Sequence, residues 1–199
     1  MLFPLMSAGP GNLPATATLR GMRPFTRVFG GPATCGQNGP VGSSLAVFDV
    51  DGVVADVRHR LHHLNRRPKD WDRFFAGAAR DPALPEGVEL ARRYAEDHVL
   101  VWLTGRPESL RAVTAAWLTE QGLPHELLFM RSDSDRRPAR DFKSEQLRKL
   151  VRESPVDVVV DDDPLVVSRL AREGWPVRLA DWSPYQRTMR DAQGRQGRT

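Results

Sequence analysis

The sequence predicts an α/β fold: a Rossmann-like three-layer sandwich around a mainly parallel five-stranded sheet, with no large cap domain. Three observations point to it. Short runs of consecutive apolar residues alternate along the chain with segments of helical spacing. Those runs are continuously apolar, as strands are when helices bury both of their faces. Acidic, hydroxylic and basic residues fall directly after the runs, at the carboxyl ends of the strands, where such sheets place their chemistry.

The elements follow in order. Residues 1–44 carry 8 of the 16 glycines and 6 of the 16 prolines, without any sustained period, and are expected to be a disordered Gly/Pro-rich segment. From Leu45 the character changes. Leu45-Ala46-Val47-Phe48 reads as a buried strand running into a turn at Asp49-Val50-Asp51-Gly52. Val57 to Leu64 and Trp71 to Phe75 read as short helices on either side of Pro68. Pro85 to Asp97 has helical spacing, with proline in the first turn. Val99 to Leu103 is a second buried strand, and Pro107 to Gln121 a helix ended by Gly122. Leu127 to Met130 is a third strand, and Ser144 to Arg152 a helix. Val156 to Val160 forms a fourth strand leading into Asp161-Asp162-Asp163. Leu165 to Glu173 forms a helix stopped by Gly174, and Pro176 to Ala180 a fifth strand. The domain is expected to span 45–185, followed by a flexible Arg-rich tail at 186–199.

Composition narrows the function. With 40% hydrophobic and 27% charged residues among 199, the bulk of the chain is globular. No apolar run reaches the roughly 18 residues of a membrane span. The first residues lack the charged start of a signal peptide, and a single cysteine, Cys35, allows no intramolecular disulfide. A cytoplasmic protein with no obligate protein partner is the expectation. The formal charge of +4 comes from the two ends of the chain, and residues 45–185 carry a net −2. The body is therefore not a basic wrapper for nucleic acid, although its ends could touch phosphates.

Asp49 and Asp51, two apart at a strand end, share a face and would repel unless a cation or a shared proton relieves them. The arrangement suits a divalent-metal site with one nucleophilic and one proton-donating carboxylate, or else a plain Asp-Gly turn. Thr104-Gly105-Arg106 after the second strand can hold an anion, with the following helix start to assist, although a helix-capping threonine fits too. Lys143 is one of three lysines in a chain with 26 arginines, and is either a chosen point charge or a surface residue. Asp161-Asp162-Asp163 after an apolar run is either a metal-binding acid set or a solvated loop.

As an ordered set, Phe48-Asp49-Val50-Asp51-Gly52, Thr104-Gly105-Arg106, Lys143 and Asp161-Asp162 resemble the four motifs of the haloacid dehalogenase-like (HAD) phosphohydrolases, over about residues 45–182. Within that superfamily, Thr104-Gly105-Arg106-Pro107-Glu108, Thr114, Trp117-Leu118 and Met130-Arg131 through Asp135, Arg137 and Lys143 resemble the phosphatase domain of phage-type polynucleotide kinase-phosphatases. No lysine follows a glycine, so the phosphate-binding loop of the kinase half is absent. The resemblance implies a Mg²⁺-dependent phosphomonoesterase acting on polynucleotide 3′-phosphate ends. Asp49 would be the nucleophile and Asp51 the general acid and base. Thr104, Gly105 and Lys143 would hold the phosphoryl oxygens, and Arg106, Arg131 and Arg137 would bind substrate. The metal would lie on Asp49, the Asp51 carbonyl, Asp161 and Asp162.

The 52 residues between Asp51 and Thr104, and the 38 between Thr104 and Lys143, leave no room for a large lid. The site should be open, and Arg131, Arg136, Arg137 and Arg140 are expected in a loop beside it. His59 and His63 have a zinc-like spacing but no third ligand nearby, and a histidine facing substrate is the better reading. Trp71, Phe74 and Phe75 could stack on bases, but at this spacing they are read as helix packing. Cys35 has no histidine partner. Two alternatives stand beside the leading function: a phosphatase of nucleotides or other small phosphate esters, and a non-catalytic phosphate- or nucleic-acid-binding module.

Overall fold

The computed structural model describes residues 44–65, 67–150, 154–183 and 191. The expectations for the Gly/Pro-rich start and for the Arg-rich tail lie outside these residues, Ser44 and Asp191 apart.

Five strands form one parallel sheet: β1 (Leu45–Phe48), β2 (Val99–Pro107), β3 (Leu128–Arg131), β4 (Val156–Asp161) and β5 (Val177–Leu179). Their spatial order is β3-β2-β1-β4-β5, all neighbours parallel. The chain winds outward from β1 through β2 to β3, then crosses back and winds the other way through β4 to β5. The crevice at which the direction reverses lies between β1 and β4, at their carboxyl ends.

Residues Leu45 to Phe48 are each at most 1% exposed, which explains their uninterrupted apolar run. Ala46 lies opposite Leu100 on one side and Val158 on the other. Phe48 packs against Tyr94 and Trp102, with ring centroids 5.7 and 6.0 Å away. Trp102 is fully buried and its indole N–H donates to the Pro124 carbonyl at 2.7 Å, so its one polar atom is satisfied.

The helices are α1 (Trp71–Ala76), α2 (Pro85–Asp97), α3 (Arg111–Glu120), α4 (Ala139–Leu150) and α5 (Pro164–Arg172), and they cover both sides of the sheet. Proline occupies the first turn of α2 and of α5, where its missing N–H costs nothing. Of the boundaries that differ from the sequence reading, two bear on the site. Pro107 stays in β2, opposite Arg131, so a 3₁₀ turn over Glu108–Leu110 precedes α3. And α4 begins at Ala139 rather than at Ser144, its first amides closing on the Pro138 carbonyl. Arg140 and Lys143 are therefore helical residues, and Lys143 is carried inward on α4 with 2% exposure.

Among the described residues, the stretch between β1 and α2 builds no cap domain. It holds 3₁₀ turns at Arg58–His63 and Ala78–Arg80, with α1 between them. It buries a small apolar cluster of Val57, Leu61, Leu64 and Phe74, flanked by Trp71 and Phe75. Among the described residues no helix is long and apolar enough to cross a membrane.

Candidate active site

The end of β1 turns sharply. The Asp49 amide donates to the Val160 carbonyl at 3.0 Å, continuing the pairing with β4. The amides of Val53, Val54 and Ala55 all close on the Val50 carbonyl. Gly52 sits at φ +75°, and a Cβ there would lie 2.3 Å from Asp162 Oδ2. Glycine is required twice over, by the left-handed backbone and by the closeness of the β4 acid.

This turn brings three carboxylates from two strand ends together. Asp49, Asp161 and Asp162 each offer an oxygen, and these oxygens lie within 4.8 Å of one another. All three residues are buried. Lys143 reaches in from α4 and donates to Asp49 Oδ2 at 2.6 Å and to Asp161 Oδ2 at 2.5 Å. The third acid of the run, Asp163, does something else: its side chain accepts from the Leu165 amide at 2.9 Å and caps α5. When all are ionised, three carboxylates gather around the Lys143 ammonium. Hard oxygen donors of that kind fit a divalent cation such as Mg²⁺.

Electrostatics follow from the same crowding. Burial raises the Asp49 pKa to about 6, against the pull of Lys143 and with added repulsion from Asp161 and Asp51. Burial also opposes the charge on Lys143, but Asp161 and Asp49 outweigh it and hold its pKa above the ordinary lysine value.

Asp51 lies in a second, differently balanced cluster. Its Oδ1 accepts from Arg106 Nε at 2.9 Å, Arg106 Nη2 at 2.5 Å and Arg60 Nη2 at 3.1 Å. Both guanidiniums also grip Asp81: Arg60 Nε at 2.7 Å, Arg60 Nη2 at 2.8 Å and Arg106 Nη2 at 2.6 Å. Arg60 and Arg106 have side chains 2% and 0% exposed, so two buried cations are matched by two buried anions. Arg106 also donates to Thr114 Oγ1 at 3.3 Å. The Asp81 carbonyl accepts from Trp117 Nε1 at 2.8 Å, and Arg60 lies 4.1 Å from the Phe74 ring centroid. Burial pushes the Asp51 pKa up, but Arg106 and Arg60 together bring it below the ordinary carboxylate value. Its other oxygen, Oδ2, is buried without a hydrogen-bond partner.

The remaining sequence-selected residues fall around this centre. Thr104 is 1% exposed at the carboxyl end of β2, and its Oγ1 accepts from the Arg106 amide at 3.3 Å. Gly105 lines a cavity of about 230 Å³ together with Asp72, Phe75, Ser109, Arg131 and Arg136, among others. Arg131 is 1% exposed, with Nη1 on the Arg137 carbonyl at 2.7 Å and its Nε and Nη2 unpartnered. Arg137 is engaged elsewhere, its guanidinium on Asp135 and Glu145. His59 lies on Asp81 at 2.8 Å, at the outer end of the arginine network.

Sequence reasoning missed Arg60 and Asp81 altogether. They lie 21 residues apart in 3₁₀ and loop segments without any apolar period, and only the fold brings them together.

Comparison with known proteins agrees with this geometry. Residues 43–179 match the family described as the polynucleotide kinase PNKP phosphatase domain. Among solved structures, a Pnkp1/Rnl/Hen1 complex matches with a TM-score of 0.59 at 19% identity, over 72% of this chain and 47% of that one. The chain thus spans about half the length of that relative. A haloacid dehalogenase-like hydrolase from Streptococcus pneumoniae matches with a TM-score of 0.53 at 9% identity, over 74% of this chain and 89% of its own. At such identities these likenesses are likenesses of fold. A search of curated proteins finds no match. With the family match covering more than two thirds of the sequence, the chain belongs to the PNKP phosphatase-domain family of HAD-like enzymes and is a phosphoric monoester hydrolase.

Proposed function

We propose that the chain is a Mg²⁺-dependent phosphomonoesterase that works through an aspartyl-phosphate on Asp49 and takes polynucleotide 3′-phosphate ends as substrate. The observation that carries it is the meeting of Asp49, Asp161, Asp162 and Lys143 at the β1–β4 crevice, with a braced Asp51 two residues away.

In this reading an Asp49 oxygen attacks phosphorus, and the bond from phosphorus to the leaving alcohol breaks. Mg²⁺ held by Asp49, the Asp51 carbonyl, Asp161 and Asp162 would offset the repulsion between carboxylate and phosphate and polarise the phosphoryl oxygens. Lys143 gives a phosphoryl oxygen a fixed positive charge. Thr104 Oγ1 already accepts from the Arg106 amide, so its own proton is free to donate to the phosphate. The Gly105 amide is the third donor, and such pre-placed donors supply much of the rate.

Asp51 protonates the leaving oxygen and then takes a proton from the water that hydrolyses the phospho-enzyme. Arg60 and Arg106 both bind Oδ1, so Oδ2 is the oxygen left to carry the proton. The guanidiniums oppose protonation in the free enzyme. A phosphate dianion beside Oδ2 acts in the opposite sense, raising the Asp51 pKa when substrate arrives. Arg106, read from the sequence as a substrate contact, serves here by fixing Asp51. Arg131, which lines the cavity beside Gly105, is the guanidinium assigned to the substrate's own backbone.

A second reading, a phosphatase of nucleotides or other small phosphate esters, is favoured by the modest size of the cavity beside Gly105. One experiment separates the two. Phosphate release from a 3′-phosphorylated oligonucleotide is compared with release from the matching mononucleotide, with Mg²⁺ and with a chelator, and with Asp49→Asn in parallel. Faster turnover of the oligonucleotide by the wild-type protein alone, lost on chelation, supports the polynucleotide reading. Turnover confined to the mononucleotide replaces it with the second. No release from either ester refutes both.

A further inference from the structure

We infer that the cavity beside Gly105 receives the nucleoside that bears the scissile phosphate, with its base stacked on Phe75, and that Phe75 therefore sets the preference for nucleotide over aliphatic leaving groups. The inference deepens the proposed function and rests on it.

Position comes first. Gly105 belongs both to the cavity wall and to the strand end that offers Thr104 and its neighbouring amide to phosphate. A phosphate bound at Asp49 has its leaving group directed toward some neighbouring space, and Gly105, next in the chain to Thr104, is the residue the cavity wall shares with that strand end. At about 230 Å³ the cavity lies just below the roughly 300–1,000 Å³ typical of drug-sized ligand sites. That is room for one ring-bearing unit, not for several.

Its walls combine one aromatic face with many polar groups. Phe75 is the aromatic member, and Asp72, Ser109, Ser132, Asp133, Arg131 and Arg136 supply hydrogen-bonding groups. Asp133 ties the wall together, accepting from the Ser109 amide at 3.2 Å and from Ser109 Oγ at 2.7 Å. Arg131, buried to 1% exposure, lies over the Phe142 ring at 4.7 Å and 3.6 Å from Asp135, with no hydrogen bond at Nε and Nη2. A nucleobase has a π face for Phe75 and acceptor atoms on its edge and sugar for the arginine.

Phe75 is also held in place. Its ring packs against Phe74 at 5.4 Å and Trp71 at 5.7 Å, and it is half-buried. Phe74, on the same helix, lies under the Arg60 guanidinium that braces Asp51. The stacking face and the general acid are thus built on one rigid assembly, so little ordering is needed on binding. Read from the sequence alone, the three aromatics of α1 pass for helix packing. That holds for Phe74, whereas Phe75 has a side left over for a ligand.

The test compares the wild-type protein with Phe75→Leu and Phe75→Tyr. Specificity constants are measured for adenosine 3′-monophosphate and for glycerol phosphate, and thermal melts confirm folding. Loss of the stacking partner should lower the nucleotide-to-glycerol ratio about ten-fold in Phe75→Leu, mainly through KM, with Phe75→Tyr close to wild type. A binding measurement in the Asp49→Asn background, by calorimetry with adenosine 3′-monophosphate, should show the same weakening without turnover. A ratio unchanged in Phe75→Leu, with both esters still hydrolysed, overturns the inference and leaves the phosphatase reading intact. A wild-type protein that hydrolyses neither ester but releases phosphate from a 3′-phosphorylated oligonucleotide overturns the inference alone, and release from none of the three overturns both.

Discussion

Replacing Asp81 with asparagine should destabilise the protein more than any exposed substitution, although Asp81 touches no expected substrate atom. Asp81 accepts from Arg60 Nε and Nη2, from Arg106 Nη2 and from His59 Nε2, all between 2.6 and 2.8 Å. With Asp51 it neutralises two buried guanidiniums. Asp81→Asn keeps the shape and removes one charge, which strands a positive charge in a site where the side chains are at most 3% exposed. Breaking a buried pair in this way costs about 3–5 kcal/mol. Urea unfolding followed by circular dichroism should then show the midpoint falling by about 2 M. Activity should fall as well, because Asp51 Oδ1 loses the frame that fixes it. The electrostatic account has a sharper consequence. Removing the stranded charge with Arg60→Met should recover part of the stability in the double variant, giving a favourable coupling above about 1.5 kcal/mol. Asp81→Asn within about 1 kcal/mol of wild type, or strict additivity in the double variant, would refute the reasoning.

Three further outcomes are expected. Gly87→Ala places a Cβ 1.8 Å from the Val53 carbonyl oxygen, so α2 has to move away from the catalytic turn, and thermal melts should show a loss of about 2 kcal/mol or more. Burial opposes ionisation of Glu173, but hydrogen bonds from Arg169, Ser144 and Trp175 and the nearby Arg148 outweigh it and hold its pKa at about 2, below the ordinary 4.5. A depressed carboxylate pKa stabilises above the unfolded value and is lost as pH falls. Glu173→Gln should therefore cost about 1 kcal/mol at pH 7, after screening at the part-exposed Arg169, and the difference in melts should close as pH falls from 4.5 toward 2. Added Mg²⁺ should raise the melting temperature of the wild-type protein, since binding to the folded state alone stabilises it, and Asp162→Asn should lose most of that rise.

The centre of the sheet was legible in the sequence because β1 and the end of β4 are buried on both faces, so Leu45–Phe48 and Val158–Val160 read as unbroken apolar runs. Helix α2 was legible to the residue, since proline opens it and its apolar spacing is sustained. The start of α4 was not, because Ala139-Arg140-Asp141 is mostly polar and offers no apolar repeat to count. The acids of the site could be read from their places after strands. Their division of labour could not: the identity of Asp163 as a helix cap depends on which way three adjacent carboxylates turn. Arg60 is one of 26 arginines, and no local pattern marks it as the one with a 2% exposed side chain. Arg137 illustrates the converse. Its place in a basic loop suggested a free cation, while Asp135 and Glu145 occupy it in the fold.

The two carboxylates of the first motif owe their different environments to charge balance. Around Asp51 the count closes within the protein: Arg60 and Arg106 answer Asp51 and Asp81, and each guanidinium grips both acids. Such a cluster needs nothing from outside and can only hold its members still. Around Asp49 the balance is different: Lys143 bonds Asp49 and Asp161, and Asp162 brings a third carboxylate within 4.8 Å of both. Under the proposed function a divalent cation joins that cluster and would draw in an anionic ester. Residues two apart on one turn are thus held in differently balanced surroundings. Under the proposed mechanism that is the contrast a nucleophile beside a general acid requires.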